Sequence, residues 1–356
     1  MNALVMIASI VNCYVGCGSG SPDKQALHVL ECDTETGAAK LVQSVTGVQG
    51  TTFFQFDRAG KYLYSMISDP RDRKLPGKAV RFAMDGNRIG AMETLAQLPC
   101  TVPCHVMLSA DGAQLAYAAY GAGTALTMPT AGGEPNAVVL SNEGAGPDKR
   151  RQQKAYAHFA FYTPDGSRLG IVNLGCDRIH FFDPKTMAED KDMTVLSDPG
   201  DGPRHAVWSN DNRFLFVINE LGNSVVSLAF DGRRFTRVGK WTMLPADFTG
   251  DSKASAIKLT KDGKILMATN RGHESVAFYD VDAATGKLAL RNIAPLTGSF
   301  PRDFALMPGE KFMVMGHEHS NEVQIYRFDR GTCSLTAVGE PIKVWAPLCF
   351  QFKDGK

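Results

Sequence analysis

Basic side chains recur at one position of a repeated sequence pattern, and their chemistry suits an anionic small molecule. Aligned on turns that contain Asp, Gly or Asn, the repeats carry His158, Arg204 and Arg302 eight residues before the turn. The same position holds Cys104 and Ser255 in two further repeats. An arginine binds a carboxylate or a phosphate through its planar fork, and a histidine can transfer a proton near neutral pH. The pattern therefore favours acid–base chemistry on an anionic ligand.

A second polar set follows the predicted second strand of several repeats. Its members are Tyr120, Asn173, Asn219, Glu220, Asn270, Arg271, His273, His317, Glu318 and His319. If the repeats are arranged around a central axis, as argued below, equivalent positions lie at the same height along it. We therefore predict that side chains from both sets converge on one pocket. The predicted group is His158, Arg204, Glu220, Arg271 and Arg302. No hydroxyl residue lies in a nucleophile elbow, so covalent acyl transfer has no candidate.

Other interpretations of these polar residues stay open. Polar groups at strand ends can form hydrogen bonds to neighbouring repeats and have only a structural role. We expect His105 and His205 to be structural, because successive side chains of a strand point in opposite directions. His273, His317 and His319 are candidates for the pocket rim or for ordinary surface. A metal site built from them is less favoured, since no carboxylate accompanies them at a fixed spacing.

The elements that must position these residues are pairs of short apolar strands joined by tight polar turns. The turns recur at Gly60, Gly112, Gly166, Asn212, Gly263 and Glu310. Strand repeats with a period of about fifty residues are typical of a β-propeller. We therefore predict an all-β fold, a seven-bladed β-propeller that forms one domain over residues 1–356.

The seventh repeat is divided between the two ends of the chain. Residues 347–352 resemble a first strand with no second strand after it, whereas residues 14–16 resemble a second strand with no first strand before it. Pairing the two segments would remove two exposed sheet edges. We therefore predict that the N- and C-terminal strands pair and close the ring.

Composition narrows the choice of partners. The chain has 38 Lys and Arg against 37 Asp and Glu, a net charge of +1, and no basic run. Nucleic acids and anionic membranes are therefore not expected as partners. No apolar stretch reaches the length of a membrane span. We expect a small anionic substrate as the partner and a monomer or weak homo-oligomer.

The cysteines and the N-terminus indicate a cytoplasmic protein. The 8 cysteines show no zinc-type spacing and fall mostly in strand-like runs, which favours buried free thiols in a reducing compartment. The apolar start lacks a basic segment, and residues 14–16 are needed as a strand. These features argue against a cleaved signal peptide.

An ordered set of segments resembles the lactonase family of seven-bladed propellers. The segments are 202–207, 214–220, 270–275 and 300–304, the loop 144–147 with Arg151, Gln152 and the pair Ala157–His158, and the end segments 14–16 and 347–352. The resemblance spans nearly the whole chain and implies that neither a metal nor an organic cofactor is needed. It also implies proton transfer by His158 and Glu220, and binding of an anionic group by Arg204 and Arg271. To the substrate-binding residues we add Arg302 and His273.

The resemblance implies a lactone hydrolase of carbohydrate metabolism, with 6-phosphogluconolactone as the expected substrate. One alternative is a carboxymuconate cycloisomerase, in which the arginines would hold the substrate carboxylates. Another is a propeller that binds without catalysing. Three positions depart from the family pattern: Tyr156, the pair Ser255 and Ala256, and the segment 316–319. These departures concern the substrate more than the fold.

Overall fold

Seven four-stranded antiparallel sheets surround a central axis in the computed structural model, which describes residues 9–18, 20, 25–68, 74–143 and 145–353. The predicted seven-bladed β-propeller is confirmed. In each sheet the first strand is innermost, and the next three strands follow outwards. Two 3-10 turns, Leu174–Cys176 and Lys191–Met193, are the helical segments of the described residues.

The described chain begins with β1 (Ile10–Cys17), β2 (Leu27–Asp33) and β3 (Ala39–Val45). Blade 1 contains β4 (Phe54–Phe56), β5 (Tyr62–Ile67), β6 (Pro76–Asp85) and β7 (Arg88–Thr101). Blade 2 contains β8 (Pro103–Leu108), β9 (Gln114–Ala119), β10 (Thr124–Pro129) and β11 (Asn136–Val139). Blade 3 contains β12 (Ala157–Tyr162), β13 (Leu169–Asn173), β14 (Arg178–Phe182) and β15 (Val195–Leu196).

Blade 4 contains β16 (Pro203–Trp208), β17 (Phe214–Asn219), β18 (Ser224–Phe230) and β19 (Phe235–Thr242). Blade 5 contains β20 (Lys253–Leu259), β21 (Ile265–Arg271), β22 (Ser275–Val281) and β23 (Leu288–Pro295). Blade 6 contains β24 (Pro301–Leu306), β25 (Phe312–His317), β26 (Glu322–Asp329) and β27 (Ser334–Lys343). The last strand, β28 (Pro347–Phe352), joins β1, β2 and β3 in blade 7.

Blade 7 closes the ring as the sequence predicts. Strand β28 pairs antiparallel with β1, in a register that sets Cys13 opposite Phe352 and Val15 opposite Phe350. The Phe350 side chain is 1% exposed and packs in a core shared with blade 6. The chain ends therefore hold together one sheet and its neighbour.

The turns that reveal the repeat have a common backbone conformation. All six positions used for the alignment have positive φ, between 55° at Glu310 and 73° at Gly112. Glycine adopts this region without steric cost and asparagine tolerates it. Glu310 is the exception, and its carboxylate accepts hydrogen bonds from the Lys261 amide and from Arg330.

Each of five inner strands carries a β-bulge at or beside the position where the site residues were predicted. In blade 4, Pro203 pairs with Asn219 and His205 with Ile218, so Arg204 has no partner in the adjacent strand. The equivalent shift lies at Cys104, His158 and Arg302, and across Ser255 and Ala256. A bulge bends the strand and redirects the extra side chain.

The core consists of apolar layers between adjacent blades. Blades 5 and 6 meet through the stacked rings of Phe278 and Phe328, whose centroids are 5.4 Å apart. Burial of each such side chain contributes about 1.5–3 kcal/mol. All eight cysteines are free, and all but Cys104 are buried, as expected from the sequence. In the described part of the chain, no helix has the length and apolar character needed to cross a membrane.

Candidate active site

A pocket of about 530 Å³ lies on the axis, where the inner strands begin and the second strands end. Its charged and hydrogen-bonding lining includes four of the predicted site residues, His158, Arg204, Glu220 and Arg271. Tyr120 and Arg151 lie beside them. Arg302 and Glu318 also line it. The described lining also contains apolar residues, Leu75, Val102, Pro103, Ala346 and Leu348, and the hydroxyl residues Thr52 and Ser68. The predicted convergence of residues distant in sequence is therefore seen.

Glu220 is the centre of a buried ion cluster. Its Oε2 accepts hydrogen bonds from Arg204 Nε at 3.0 Å and pairs with Arg271 Nη2 at 2.9 Å. Its Oε1 is bound by Arg151 Nη2. The side chains of Glu220 and Arg204 are each 2% exposed. Both carboxylate oxygens are thus engaged by guanidinium groups.

The charges of this cluster decide its protonation. Burial alone would raise the pKa of Glu220, but Arg271, Arg204 and Arg151 together hold it well below its usual range. Burial and the neighbouring Arg302 and Arg271 lower the pKa of Arg204. Arginine starts from a value above 12, and the ion pair with Glu220 keeps the guanidinium charged. The cluster is therefore fully ionised at neutral pH.

Backbone carbonyls fix two of these arginines. Arg204 Nη1 donates to the carbonyl of Ser255 and lies 3.1 Å from His205 Nε2. Arg271 donates from Nε to the carbonyl of Lys253 and from Nη2 to that of Ala254. All three carbonyls belong to the start of β20, where Lys253 and Ala254 pair with β21 and Ser255 lies in the bulge that follows.

His158 lies beside this cluster as a neutral imidazole. It is 6% exposed, and its Nδ1 is buried without a hydrogen-bond partner among the described residues. Burial, and next the charge of Arg204, lower its pKa well below the ordinary value. The Tyr120 ring meets it edge-on, with centroids 5.7 Å apart. A neutral histidine at the pocket wall can accept a proton from water.

Burial disfavours the ionised forms of two neighbouring groups of the pocket. It raises the pKa of the Cys104 thiol to about 12, and the carbonyls of Ala118, Ala157 and His158 are alternative acceptors for its single hydrogen. A thiol needs the thiolate form to attack. Burial likewise raises the pKa of Tyr120.

The remaining predicted histidines are placed elsewhere. His273 does not reach the pocket lining, because its Nδ1 is bonded to Ser275 Oγ at 2.7 Å and its ring packs against Phe248. His317 is buried against the Tyr326 hydroxyl, and His319 stacks on Phe300. Within the described residues, no group of three or more His, Cys, Asp or Glu side chains could hold a metal ion. Gly144 of the predicted loop lies outside the described residues.

His205 differs from its expected orientation. Strict alternation along the strand places it away from the pocket, yet it lines the pocket beside Arg204. The bulge at Arg204 breaks the alternation, so consecutive side chains face the same space. His105 is buried, as expected of a structural residue, and its Nδ1 accepts the Ala160 amide hydrogen.

Three residues that line the pocket had no role predicted from the sequence: Arg151, Tyr120 and Glu318. Tyr120 and Glu318 follow the second strands of their blades just as Glu220 does, so the repeat contained a signal for both. Arg151 lies in the connection between β11 and β12, for which other blades have no equivalent. Its contact with Glu220 depends on the path of that connection.

Comparison with known proteins agrees with this geometry. The family described as lactonase, 7-bladed beta-propeller, matches residues 12–352. The chain belongs to this family. A 6-phosphogluconolactonase from Bacillus subtilis is 28% identical over 335 residues, covering 92% of this chain and 94% of the relative. A 6-phosphogluconolactonase from Formosa agariphila is 27% identical over 355 residues, covering 93% and 96%.

Solved structures show the same architecture for this lactonase-family chain. A Lactobacillus plantarum protein superposes with a TM-score of 0.87 at 26% identity, covering 97% of this chain and all of the other (100%). A candidate 6-phosphogluconolactonase from Bacteroides fragilis gives a TM-score of 0.86 at 26% identity, covering 98% and 99%. Family and relatives together identify this chain as an enzyme of lactonase type.

Proposed function

We propose that the protein hydrolyses 6-phosphogluconolactone to 6-phosphogluconate. The observation that carries the proposal is the pocket itself, in which a neutral histidine lies against a group of arginines suited to an anionic substrate. The relatives named 6-phosphogluconolactonase support the choice of substrate. Arginine forks bind a phosphate or carboxylate group, and they also stabilise negative charge that develops during the reaction.

The reaction requires one water molecule and one base. Water attacks the carbonyl carbon of the lactone while His158 accepts a proton from that water. The bond between the carbonyl carbon and the ring oxygen then breaks, and the ring oxygen receives the proton from His158. The product is a hydroxy acid, which loses a proton to become a carboxylate. The arginines are placed to stabilise the oxyanion and the product charge.

The substrate also improves the base. Burial is the main cause of the lowered pKa of His158, but the charges of Arg204, Arg302 and Arg271 lower it further. An anionic group bound to these arginines offsets their charge at the imidazole. The pKa of His158 therefore rises towards neutrality when such a substrate binds, which makes it a more effective base.

Glu220 serves this reaction by holding the arginines. Proton transfer by its carboxylate stays a prediction from the sequence. With Arg204 and Arg271 on Oε2 and Arg151 on Oε1, the contacts favour the role of a counter-ion that positions them. We therefore propose His158 as the catalytic base and Glu220 as a positioning residue.

The test is the rate of 6-phosphogluconolactone hydrolysis at a pH near 6.5, with spontaneous opening subtracted. We expect clear acceleration by the wild-type protein, and a loss of about 100-fold or more in kcat/KM for His158→Ala. The control is His273→Ala, since that ring lies outside the pocket lining. Equal rates for the wild type and His158→Ala would contradict the assignment of His158.

A second candidate reaction is suggested by the apolar residues of the pocket lining. Leu75, Val102, Pro103 and Leu348 offer no side-chain hydrogen bonds to sugar hydroxyls, and the lining hydroxyls are those of Thr52, Ser68 and Tyr120. A flat unsaturated tricarboxylate would suit these apolar residues together with the arginines, which keeps a carboxymuconate cycloisomerase as the alternative. Incubation with a carboxymuconate should then reduce the ultraviolet absorbance of the diene. An unchanged absorbance removes this alternative.

A further inference from the structure

Arg151 differs from the other arginines of Glu220 in its exposure and its free donors. Its side chain is 29% exposed, against 2% for Arg204 and 4% for Arg271. Nη2 makes its contacts with Glu220 Oε1 and with the Tyr120 hydroxyl at 3.3 Å. Nε and Nη1 make no hydrogen bond to another described residue. Arg151 can therefore bind a ligand without giving up its place in the cluster.

The backbone beneath Arg151 is held firmly despite the length of its connection. The amides of Arg151 and Gln152 donate to Asp148, which forms a local turn. The Gln152 side chain is 1% exposed and donates from Nε2 to the Leu174 carbonyl at 3.0 Å and to Asp177 Oδ1 at 2.8 Å. A buried and satisfied amide fixes the chain around it.

Asp177 connects this turn to the strand that carries Arg204. Its Oδ1 accepts the amide hydrogen of Gly202 at 2.7 Å, and its Oδ2 accepts that of Gly200 at 2.8 Å. These residues lead directly into β16. One buried carboxylate therefore orients both the Arg151 turn and the start of β16, so the two guanidinium groups have a fixed relation to each other.

The charge of the pocket indicates which ligands this arrangement suits. The described lining residues include the arginines 151, 204, 271 and 302 and the glutamates 220 and 318. With the lining histidines neutral, four positive charges face two negative ones, an excess of two. A phosphate monoester carries about −1.5 to −2 at pH 7. Without Arg151 the excess is one, which a single carboxylate balances.

We propose that Arg151 is a specificity-determining residue that selects ligands with a doubly charged anionic group over otherwise identical ligands without it. This inference rests on the proposed function for the choice of phosphosugar ligand. Its charge logic applies to any small dianion. The exposed donors of Arg151 bind the phosphate, while its contact with Glu220 keeps the guanidinium aimed into the pocket.

The test is calorimetric titration of the wild type and Arg151→Gln with 6-phosphogluconate, gluconate and inorganic phosphate. We expect Arg151→Gln to weaken binding of 6-phosphogluconate and phosphate about tenfold or more, because a charge-assisted hydrogen bond is lost. Gluconate binding should change less than about twofold. Arg150→Gln is the matched control, since it removes the same charge from an exposed neighbour on the same turn.

Each outcome decides the matter. Equal losses for 6-phosphogluconate and gluconate, or no loss for either, overturn the inference. Arg151→Lys provides a variant that keeps the charge, should Arg151→Gln fold poorly, and it should retain most of the preference for the phosphorylated ligand. If hydrolysis of 6-phosphogluconolactone fails but phosphate binding depends on Arg151, the inference stands and the proposed substrate falls. Wild-type protein that binds phosphate no better than Arg151→Gln overturns the inference regardless of the hydrolysis assay.

Discussion

The Glu220 carboxylate contacts three guanidinium groups, whereas a simple surface ion pair contains one cation. Two guanidinium groups share Oε2 and a third occupies Oε1, all at a side chain that is 2% exposed. Each arginine would be an unbalanced charge without it, and buried unpaired charges are very unfavourable. The carboxylate remains ionised at neutral pH because its pKa is lowered. Its stabilising effect is therefore complete near pH 7, decreases as the pH falls below the ordinary value of 4.5, and is lost once the pH has fallen through the lowered value.

We expect Glu220→Gln to lower the free energy of unfolding by about 3–5 kcal/mol, because it leaves buried guanidinium groups without a counter-charge. Urea unfolding at pH 7 measures the change. The matched control is Glu318→Gln, which removes a partly exposed carboxylate whose ion pair among the described residues is with Arg302, and it should cost about 0–1 kcal/mol. Similar losses in the two variants would show that burial of the cluster does not matter.

At the scale of elements, the inner strands determine both the ring and the site. Strand β28 supplies the first strand of blade 7, and its removal would leave β1 with an open edge. Phe350 of β28 packs against Val314 and Ile325 of blade 6 in the same buried cluster. The end of the chain therefore belongs to the packed core.

We expect a protein truncated after Ala346 to lose more than about 3–5 kcal/mol of stability, the usual cost of removing one buried phenylalanine. The loss should appear as a lower midpoint of a single cooperative thermal transition followed by circular dichroism. The control is truncation after Lys353, which keeps β28. An unchanged main transition with only local protease sensitivity would show that the ring does not depend on β28.

The ring of blades and most of the charged residues that line the pocket could be predicted from the sequence. Regular turns with positive φ recur at visible spacing, so the blades and the shared height of Arg204 and Arg302 could be predicted. The bulges could not, because they depend on how neighbouring strands pair, and His205 was misjudged as a result. Arg151 depends on the path of a single connection, for which no repeat gives guidance. His273 lies in a repeated turn, but its hydrogen bond to Ser275 places its ring outside the pocket lining.

At the scale of the whole molecule, we expect buried histidines to make the protein sensitive to mild acid. Burial lowers the pKa of His28 and His317 to about 4 and that of His105 to about 3. His158 and His205 are lowered as well, again mainly by burial. In the unfolded chain these groups titrate near 6.5. Between these values the unfolded state binds protons that the native state does not.

We expect the free energy of unfolding to fall as the pH drops from about 6.5 to about 4, by at most about 1.4 kcal/mol per pH unit for each buried histidine. Urea unfolding at several pH values between 7.5 and 4.5 measures the slope. Replacement of His105 with Asn should reduce that slope by up to about 1.4 kcal/mol per pH unit, which corresponds to one proton fewer bound on unfolding. A flat profile between pH 6.5 and 5 would contradict the assignment of these histidines as buried and neutral.

The bulges have a consequence for how such a protein can acquire new substrates. Arg204 and the residues equivalent to it have no partner in the neighbouring strand, so their identity is not constrained by the hydrogen-bond ladder. A substitution there alters what the pocket recognises while the sheets around it keep their register. Blades 2 to 6 contribute such positions near the axis. Selection can therefore change the chemistry of the pocket one blade at a time, while the strand pairing of the blades is kept.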